Sequence, residues 1–303
     1  MEHYELLSYS LCSKKSKKHI KSLNLKVWRL TFSIFESQIK FYINFRFKSI
    51  FQSVFDVYGC TDVTEWIRDE REVKRKFPSF KLNSWVHHIC EVLHHPRIDQ
   101  FTFIPRDIDD EFIEYTQNAV KGLHISWITI LGHSSGDFAK KVLKSFPYYD
   151  QLEFARVPFD SVSLMNKYLV QNLFEVCVSQ AQKLKIDQIL ISNSERILLL
   201  YTVFIEKDFN RFMKLWIRGS NPRLNYFVTT GLPQHGSVSL NENDILKGIK
   251  RNQIPLDSEE VYKDCVYNGY DETKLAGGYR IRRFDGATAV FVITECKFEF
   301  IVE

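Results

Sequence analysis

The sequence has 303 residues, of which 45% are hydrophobic and 26% are charged. These proportions are typical of a globular protein with one large domain or two smaller ones, and they exclude a collagen, a disordered tail and a small disulfide-stapled scaffold. The 41 basic and 37 acidic residues leave a formal net charge of +4, which is too small to indicate a nucleic-acid partner.

The cysteines and the apolar runs indicate where such a chain resides. The six cysteines are scattered and form no C-x-x-C pair, which predicts reduced thiols. The N-terminal residues lack the basic-then-apolar pattern of a signal peptide. The longest apolar run, residues 197–205, is shorter than the about 20 residues that a membrane span requires. We therefore expect a cytoplasmic or nuclear protein with no membrane partner.

The first 47 residues predict helices followed by strands. Residues 5–23 are typical of a short helix pair and carry five lysines, most simply explained as a solvated helix face. Residues 27–47 then alternate between apolar and polar positions, which predicts a β-hairpin with one buried face.

Two further helices are predicted before the middle of the chain. Residues 61–76 are charged and helical in character, and residues 84–95 follow as a helix with Asn83 or Ser84 at its N-cap.

The middle of the chain repeats an apolar-x-x-apolar-x-apolar motif at intervals of 22 to 29 residues. Amphipathic helical stretches lie between the copies, such as those that follow Asp137 and Asp208. Leucine-rich repeats have this core motif and this period, so we predict a parallel sheet with outer helices over about residues 84–251. The clearest copies are Ile98-Phe101-Phe103, Ile125-Ile128-Ile130, Tyr149-Leu152-Phe154 and Leu173-Val176-Val178.

The C-terminal residues return to β-structure. Two apolar runs flank Asp285-Gly286, which predicts a hairpin with a type I′ turn, and residues 296–302 alternate as one more strand. We expect residues 277–303 to form a cap that covers the open end of the repeats. The fold class predicted is therefore α/β, a leucine-rich-repeat-like solenoid with a small helical N-terminus and antiparallel β segments near both ends.

Several stretches carry a family resemblance. The segments DFNRFMKLWIRGSNPRLNYF (208–227), ILKGI (245–249) and GGYRIRRFDGATAVFVI (277–293) resemble the type 2 F-box-associated domain of nematode F-box proteins. The N-terminal ELLSYSLCSKKSKK is similar to the second half of an F-box. The resemblance divides the chain into partial F-box helices over 1–26 and an F-box-associated domain over 27–303.

This resemblance implies a function without catalysis, metal or cofactor. F-box proteins join a Skp-type adaptor and, through it, a cullin-based ubiquitin ligase, and their C-terminal domain captures an unknown target protein. Four positions match the adaptor-binding motif, namely Leu6, Leu7, Ser10 and Leu11. An orphan repeat protein that binds a target without recruiting a ligase is the alternative, because only half of the F-box motif is matched.

An enzymatic alternative depends on one pentapeptide. Residues 132–136 fit G-x-S-x-G between a predicted strand and a predicted helix, which is the context of a nucleophile elbow. Ser134 would be the nucleophile of a serine hydrolase and His235, the one histidine downstream, its base. A Ser/Gly-rich turn that caps the next helix explains the same residues, and we favour that interpretation.

Two other patterns have a functional and a structural interpretation. His87, Cys90, Glu91 and His94 would share one helix face and could hold zinc, but we favour a helix with partly buried histidines that pack at the start of the solenoid. The phenylalanines of residues 41–55 could stack on bases, but their strict alternation favours a buried strand.

Overall fold

A computed structural model describes most of the chain. It describes residues 3–35, 38–45, 49–56, 59–67, 71–75, 81–105, 108, 110–132, 134–231, 240–263, 272–294 and 297–303. The chain divides into two compact units, Met1–Asp150 and Gln151–Glu303. Within the residues described, no helix is both long enough and apolar enough to cross a membrane.

The first unit combines an antiparallel meander with parallel strands. Strands β1 to β5 pair consecutively and antiparallel. Strand β1 also pairs in parallel with β7, and β7 pairs in parallel with β8. Its elements are α1 (His3–Ser10), α2 (Lys14–Ser22), β1 (Arg29–Phe35), β2 (Gln38–Phe45), β3 (Ser49–Asp56), β4 (Gly59–Ile67), β5 (Arg71–Arg75), α3 (Leu82–Val92), β6 (Arg97–Ile98), β7 (Gln100–Ile104), α4 (Asp110–Ala119), β8 (His124–Ile130) and α5 (Gly136–Ser145).

The predicted N-terminal helix pair and the predicted hairpin of residues 27–47 are confirmed as α1–α2 and β1–β2. Alternate residues of β1 are buried, and the rings of Phe32, Phe41 and Phe101 pack together. Phe41 and Phe45 are buried as the core interpretation predicts. The side chains of the later phenylalanines in that stretch lie outside the described residues.

The helix predicted for residues 61–76 is wrong. Strands β4 and β5 occupy most of this segment. The β-branched Thr61, Val63 and Thr64 favour a strand, and each strand is paired with its neighbour through the backbone. The prediction of a helix relied on the high charge content of this segment, which does not distinguish a helix from a strand.

The predicted helix of residues 84–95 is confirmed as α3, but its N-cap is Lys81. Lys81 makes no side-chain cap hydrogen bond, and Asn83 and Ser84 lie within the first turn. The apolar residues Leu82, Val86 and Ile89 are buried, so burial starts the helix two residues earlier than a capping signal predicts.

The second unit is also an α/β structure with a mixed sheet. Strands β9, β10, β11 and β12 pair in parallel, and β12 pairs antiparallel with β16, followed by β15, β14 and β13. Its elements are β9 (Tyr149–Phe154), α6 (Val162–Leu169), β10 (Glu175–Val178), α7 (Ile186–Leu190), β11 (Arg196–Thr202), α8 (Glu206–Ile217), β12 (Tyr226–Gly231), α9 (Glu242–Ile245), β13 (Asn252–Lys263), β14 (Glu272–Arg282), β15 (Thr288–Ile293) and β16 (Lys297–Val302).

The predicted α/β class is confirmed. The four clear copies of the apolar motif lie on or directly before strands β6–β7, β8, β9 and β10, and helices separate these strands along the chain. The sheet is mixed rather than parallel throughout, because antiparallel strands extend it in each unit. The leucine-rich-repeat-like solenoid is a finer statement and stays a prediction.

Aromatic rings form the core between α8 and the sheet of the second unit. Phe212 packs edge-to-face on Phe227 and Phe300, and Trp216 packs on Phe300 in the same way. Phe209 stacks on Phe298. These contacts bury one face of β12 and β16 and explain much of the high phenylalanine content.

The predicted C-terminal hairpin is confirmed as β14–β15, but its turn is not type I′. A type I′ turn requires positive φ at both Asp285 and Gly286, and of these two described residues only Gly286 has it (99°). The N–H of Gly286 donates to Arg283 O, and the N–H of Arg283 donates to Ala287 O. This is the pattern of a three-residue loop that ends in a glycine bulge.

Candidate functional site

The four residues predicted to bind an adaptor lie on α1 or directly after it, and half of them are buried. Leu7 and Ser10 have almost no exposed surface, whereas Leu6 and Leu11 are partly exposed. The Ser10 hydroxyl donates to Leu7 O and lies 2.8 Å from His88 Nε2 on α3. The adaptor role of all four stays a prediction.

Helix α2 turns two different faces to its surroundings. Ser16 and Ile20 are buried, while Lys14, Lys15 and Lys18 are exposed. Ser13 caps the helix: its hydroxyl accepts from the Ser16 N–H at 3.0 Å, and its own N–H donates to the Ser16 hydroxyl at 2.8 Å. This capping box offsets the unfavourable placing of lysines in the first turn of a helix.

The histidine-rich face of α3 contacts α2. Glu91 accepts from Lys17 Nζ at 2.6 Å and lies 3.6 Å from Lys21 Nζ, and His94 Nε2 lies 3.1 Å from Lys21 O. Burial, together with the charge of Lys17, lowers the pKa of His88 to about 4, although Glu91 acts in the opposite direction. The neutral imidazole is therefore the form present at neutral pH.

The residues considered for zinc do not converge in the part of the chain that the structure describes. His87 is exposed and Cys90 is buried. Burial, together with the Asp99 charge, raises the pKa of the Cys90 thiol to about 12. Among the described residues, no three His, Cys, Asp or Glu side chains come close enough to hold a metal ion. Of the four, Cys90 is packed in the interior, and Glu91 and His94 contact α2.

The G-x-S-x-G turn caps a helix. Ser135 is the N-cap of α5, and its hydroxyl accepts from the Phe138 N–H at 3.1 Å. Ser134 is buried. His133 and His235 lie outside the described residues. The residues that the structure describes thus fit the capping interpretation.

The second unit holds a network of charged and aromatic side chains on the sheet face opposite α8. Phe227 packs against α8, so its neighbour Tyr226 points to the other side. We call this side the Arg196 face. It comprises Glu153, Glu175, Cys177, Arg196, Leu198, Tyr226 and Glu299.

Arg196 is the centre of this face. It lies opposite Glu175 on the paired strands β10 and β11, and the two residues are only 6% and 7% exposed. Arg196 Nε lies 3.3 Å from Glu175 Oε2. The guanidinium carbon lies 5.6 Å from the ring centre of Phe174 and 5.3 Å from that of Tyr226. A carboxylate and two aromatic rings together compensate for the loss of water around this cation.

The network continues to β16 at the other side of the face. The Tyr226 hydroxyl donates to Glu299 Oε1 at 2.7 Å, and Lys297 Nζ lies 2.5 Å from Glu299 Oε2. Charged and polar groups therefore run across four strands. Tyr226 also packs in a buried apolar cluster with Ile254 and Leu275, so the centre of this face lies in the interior of the unit and only its border is exposed.

Burial controls protonation on the Arg196 face. It raises the pKa of the Glu175 carboxyl; the Arg196 charge acts in the opposite direction, and the Glu153 charge adds to the rise. Burial also raises the pKa of the Cys177 thiol, and the charges of Glu153 and Glu175 raise it further. A thiol that stays protonated is a poor nucleophile, so Cys177 is suited to packing rather than catalysis.

Exposed apolar side chains border this face. Phe174 is 41% exposed although Arg196 lies over its ring. Strand β11 has a register irregularity between Leu199 and Thr202, and Tyr201 there has a positive φ of 56°. Tyr201 and Val203 are both exposed. A bulge with a strained aromatic residue redirects a side chain outward, a common device at binding sites.

Sequence reasoning missed the Arg196 face. Its partners are 21 residues apart along the chain and meet only through the parallel register of β10 and β11. The available signal was a charged residue at the start of each otherwise apolar strand, Glu175 in EVCV and Arg196 in RILLLYT.

Comparison with known proteins finds a family model that matches part of this face. Residues 164–228, which include β10, β11 and the first half of β12, match the model of a family described as F-box associated. This segment is therefore similar to that family. The resemblance to F-box associated proteins that the sequence predicted is confirmed.

One relative extends the F-box associated match. The chain is 28% identical over 150 residues to the F-box associated domain-containing protein sdz-33 of Caenorhabditis elegans. The aligned region covers 50% of this chain and 45% of the relative, so the chain spans less than half of that protein's length. No solved structure matches the chain.

Proposed function

We propose that this chain is the target-recognition subunit of a Skp/cullin/F-box ubiquitin ligase and binds its target protein through the exposed side chains that border the Arg196 face. One observation carries the proposal. The family-matched residues 164–228 are the ones that build the centre of this face and the exposed side chains beside it. Because the match gives a family rather than an activity, the ligase is part of the proposal.

The chemistry of the face supports protein recognition. Interfaces gain most of their affinity from a few aromatic and arginine side chains in well-packed surroundings. Phe174 and Tyr201 are exposed aromatic side chains, and Arg196 holds Phe174 from behind. Because its ring already lies against Arg196, Phe174 loses little conformational freedom when a partner binds.

The fold also supports the proposal. We propose that the parallel strand–helix units within each half are degenerate leucine-rich-repeat-like units of a solenoid, as the apolar motif predicts. The parallel register of β9 to β12 with intervening helices supports this. Repeat folds of this kind commonly bind protein partners on their sheet face.

An orphan recognition module is the second candidate. The burial of Leu7 and Ser10 against α3 favours it, since two of the four side chains expected to contact the adaptor are already packed. Such a module would bind a target without recruiting the adaptor and the cullin.

The experiment that separates these functions is affinity capture of tagged protein from a nematode lysate. Captured proteins are compared among wild type, Phe174→Asp and the matched control Tyr148→Asp, which changes another exposed aromatic residue (83% exposed) that belongs to the first unit. We expect a target that Phe174→Asp loses and Tyr148→Asp retains, together with adaptor and cullin in all three.

The other results are equally informative. A Phe174-dependent target without adaptor or cullin would establish the orphan module. If no captured protein depends on Phe174 while both variants fold as the wild type does, recognition by the Arg196 face is wrong.

A further inference from the structure

The helix pair α1–α2 presents a second surface, which faces away from α3. Lys15, His19 and Leu23 follow one another at intervals of four residues and therefore share one side of α2. The ring of Tyr9 on α1 lies edge-on to that of His19, with 6.5 Å between their centres. Tyr9 and Leu23 are each 45% exposed. We call this surface the basic face; its members are Tyr9, Lys14, Lys15, Lys18, His19 and Leu23.

The charge of the basic face is strongly one-sided. Between residues 3 and 26 the sequence has six lysines and a single acidic residue, Glu5. Glu91 contacts Lys17 and Lys21 on the side of α2 that faces α3, whereas Lys14, Lys15 and Lys18 turn their charges to solvent.

Helix stability does not explain these lysines. Lys14 and Lys15 stand in the first turn of α2, where the helix dipole disfavours cations, and Lys14 and Lys18 are four residues apart, where like charges repel. Because α2 contains no acidic residue, nothing on the helix itself neutralises Lys14, Lys15 and Lys18, and their charges are available to a partner.

We propose that the basic face binds an acidic protein surface, with Tyr9 and Leu23 as its apolar contacts. The proposal rests on the proposed function in one respect: it makes the Skp-type adaptor the natural partner. The adaptor would then be bound through Tyr9, Leu23 and the lysines rather than through the buried Leu7 and Ser10.

The geometry favours a protein over other anionic partners. Ile20, the apolar residue in the middle of α2, is buried inside the first unit, so α2 has no free apolar stripe to insert into a membrane. The net charge of the whole chain is only +4, in contrast to proteins that track a nucleic-acid backbone. Cations around two apolar anchors match the plan of a protein interface.

The test measures binding of the full chain to four probes. The probes are a purified nematode Skp-type adaptor, a fluorescent Glu-rich peptide that contains leucine, phosphatidylserine vesicles and a DNA oligonucleotide. The variant K14E/K15E/K18E is compared with the control K121E/K144E/K167E, which makes the same charge change at other exposed lysines. A further variant, Tyr9→Ser, tests the apolar contact.

We expect the basic-face variant to weaken binding of the adaptor and the acidic peptide by about tenfold or more, and the control to leave both within about twofold. Tyr9→Ser should also weaken both. Binding should fall as ionic strength rises from about 0.1 M to about 1 M, where screening shortens from about 10 Å to about 3 Å. Circular dichroism confirms that each variant folds.

Each other outcome has a distinct meaning. Equal loss of adaptor binding in the two triple variants overturns the basic face but leaves the ligase function standing. Lysine-dependent binding of the peptide without any adaptor binding supports the basic face and overturns the adaptor half of the proposed function. Lysine-dependent binding to vesicles or DNA alone, or to no probe, overturns the inference.

Discussion

Two ion-paired regions of this molecule use the same chemistry in different surroundings. Glu91, with Lys17 and Lys21, lies at the surface, and its side chain is half exposed. Arg196 and Glu175 are buried beneath aromatic rings. Water screens the first set and leaves the second unscreened. Similar distances therefore give very different energies, and burial identifies the pair on which the fold depends.

Removing one partner of the buried Arg196–Glu175 pair should cause the largest loss of stability. Arg196→Ala leaves Glu175 buried without its cation, which should lower the free energy of unfolding by about 3–5 kcal/mol. Urea unfolding monitored by circular dichroism measures the loss. The paired replacement Glu175→Leu/Arg196→Met should recover most of it, because no charge is then left behind. Equal losses in the single and double variants would contradict this account.

Acidification should lower the stability of the protein through His88 on α3. The pKa of His88 is lowered to about 4, so on acidification the unfolded chain takes up this proton first. Stability from neutral His88 is complete above about pH 6.5 and is lost as the pH falls to about 4, by about 2–3 kcal/mol once partial screening by water is allowed for. Unfolding followed over this range should show the loss, and His88→Gln should flatten it. An unchanged slope in His88→Gln would assign the effect to other groups.

Loss of the Ser13 cap of α2 should lower stability by a smaller amount. Ser13→Ala removes the hydroxyl that accepts from the Ser16 N–H, at a cost of about 1 kcal/mol. Hydrogen exchange of the α2 amides should accelerate accordingly. Ser22→Ala, at the other end of the helix, is the control, since its hydroxyl bonds a carbonyl rather than a free first-turn N–H.

The exposed ion pairs should matter least. Glu91→Gln removes the carboxylate next to Lys17 and Lys21, and we expect it to lower stability by less than about 1 kcal/mol. The difference from wild type should shrink further in high salt. A loss as large as that of Arg196→Ala would show that exposure does not separate the two regions.

Local patterns predicted much of the fold. Alternation gave the hairpin β1–β2 and the C-terminal strands, and the apolar motif placed strands that pair in parallel. These features depend on which face of each strand is buried. The alternation of apolar and polar residues along the sequence shows that face directly. Prediction failed at residues 61–76, where backbone pairing with β3 rather than an apolar pattern makes the strands.

The binding surfaces were less predictable. The sequence shows that α2 is rich in lysine. It does not show which of these lysines contact Glu91, because that depends on how α2 and α3 pack. The Arg196 network requires the register of four strands, and one residue of slippage would send Arg196 to the side occupied by the aromatic core. The register between strands that are distant along the chain cannot be read from the spacing of residues within one strand.

The position of Cys177 on the Arg196 face allows the accessibility of this face to be followed by thiol labelling. Its thiol is partly buried and its pKa is raised, so maleimide should label it slowly in the native protein, whereas the exposed Cys12 should react at once. The labelling rate of Cys177 therefore measures how accessible this part of the Arg196 face is to solvent. A ligand that covers this face should slow the labelling of Cys177. The labelling rate can therefore be used to screen candidate ligands before the target protein is identified.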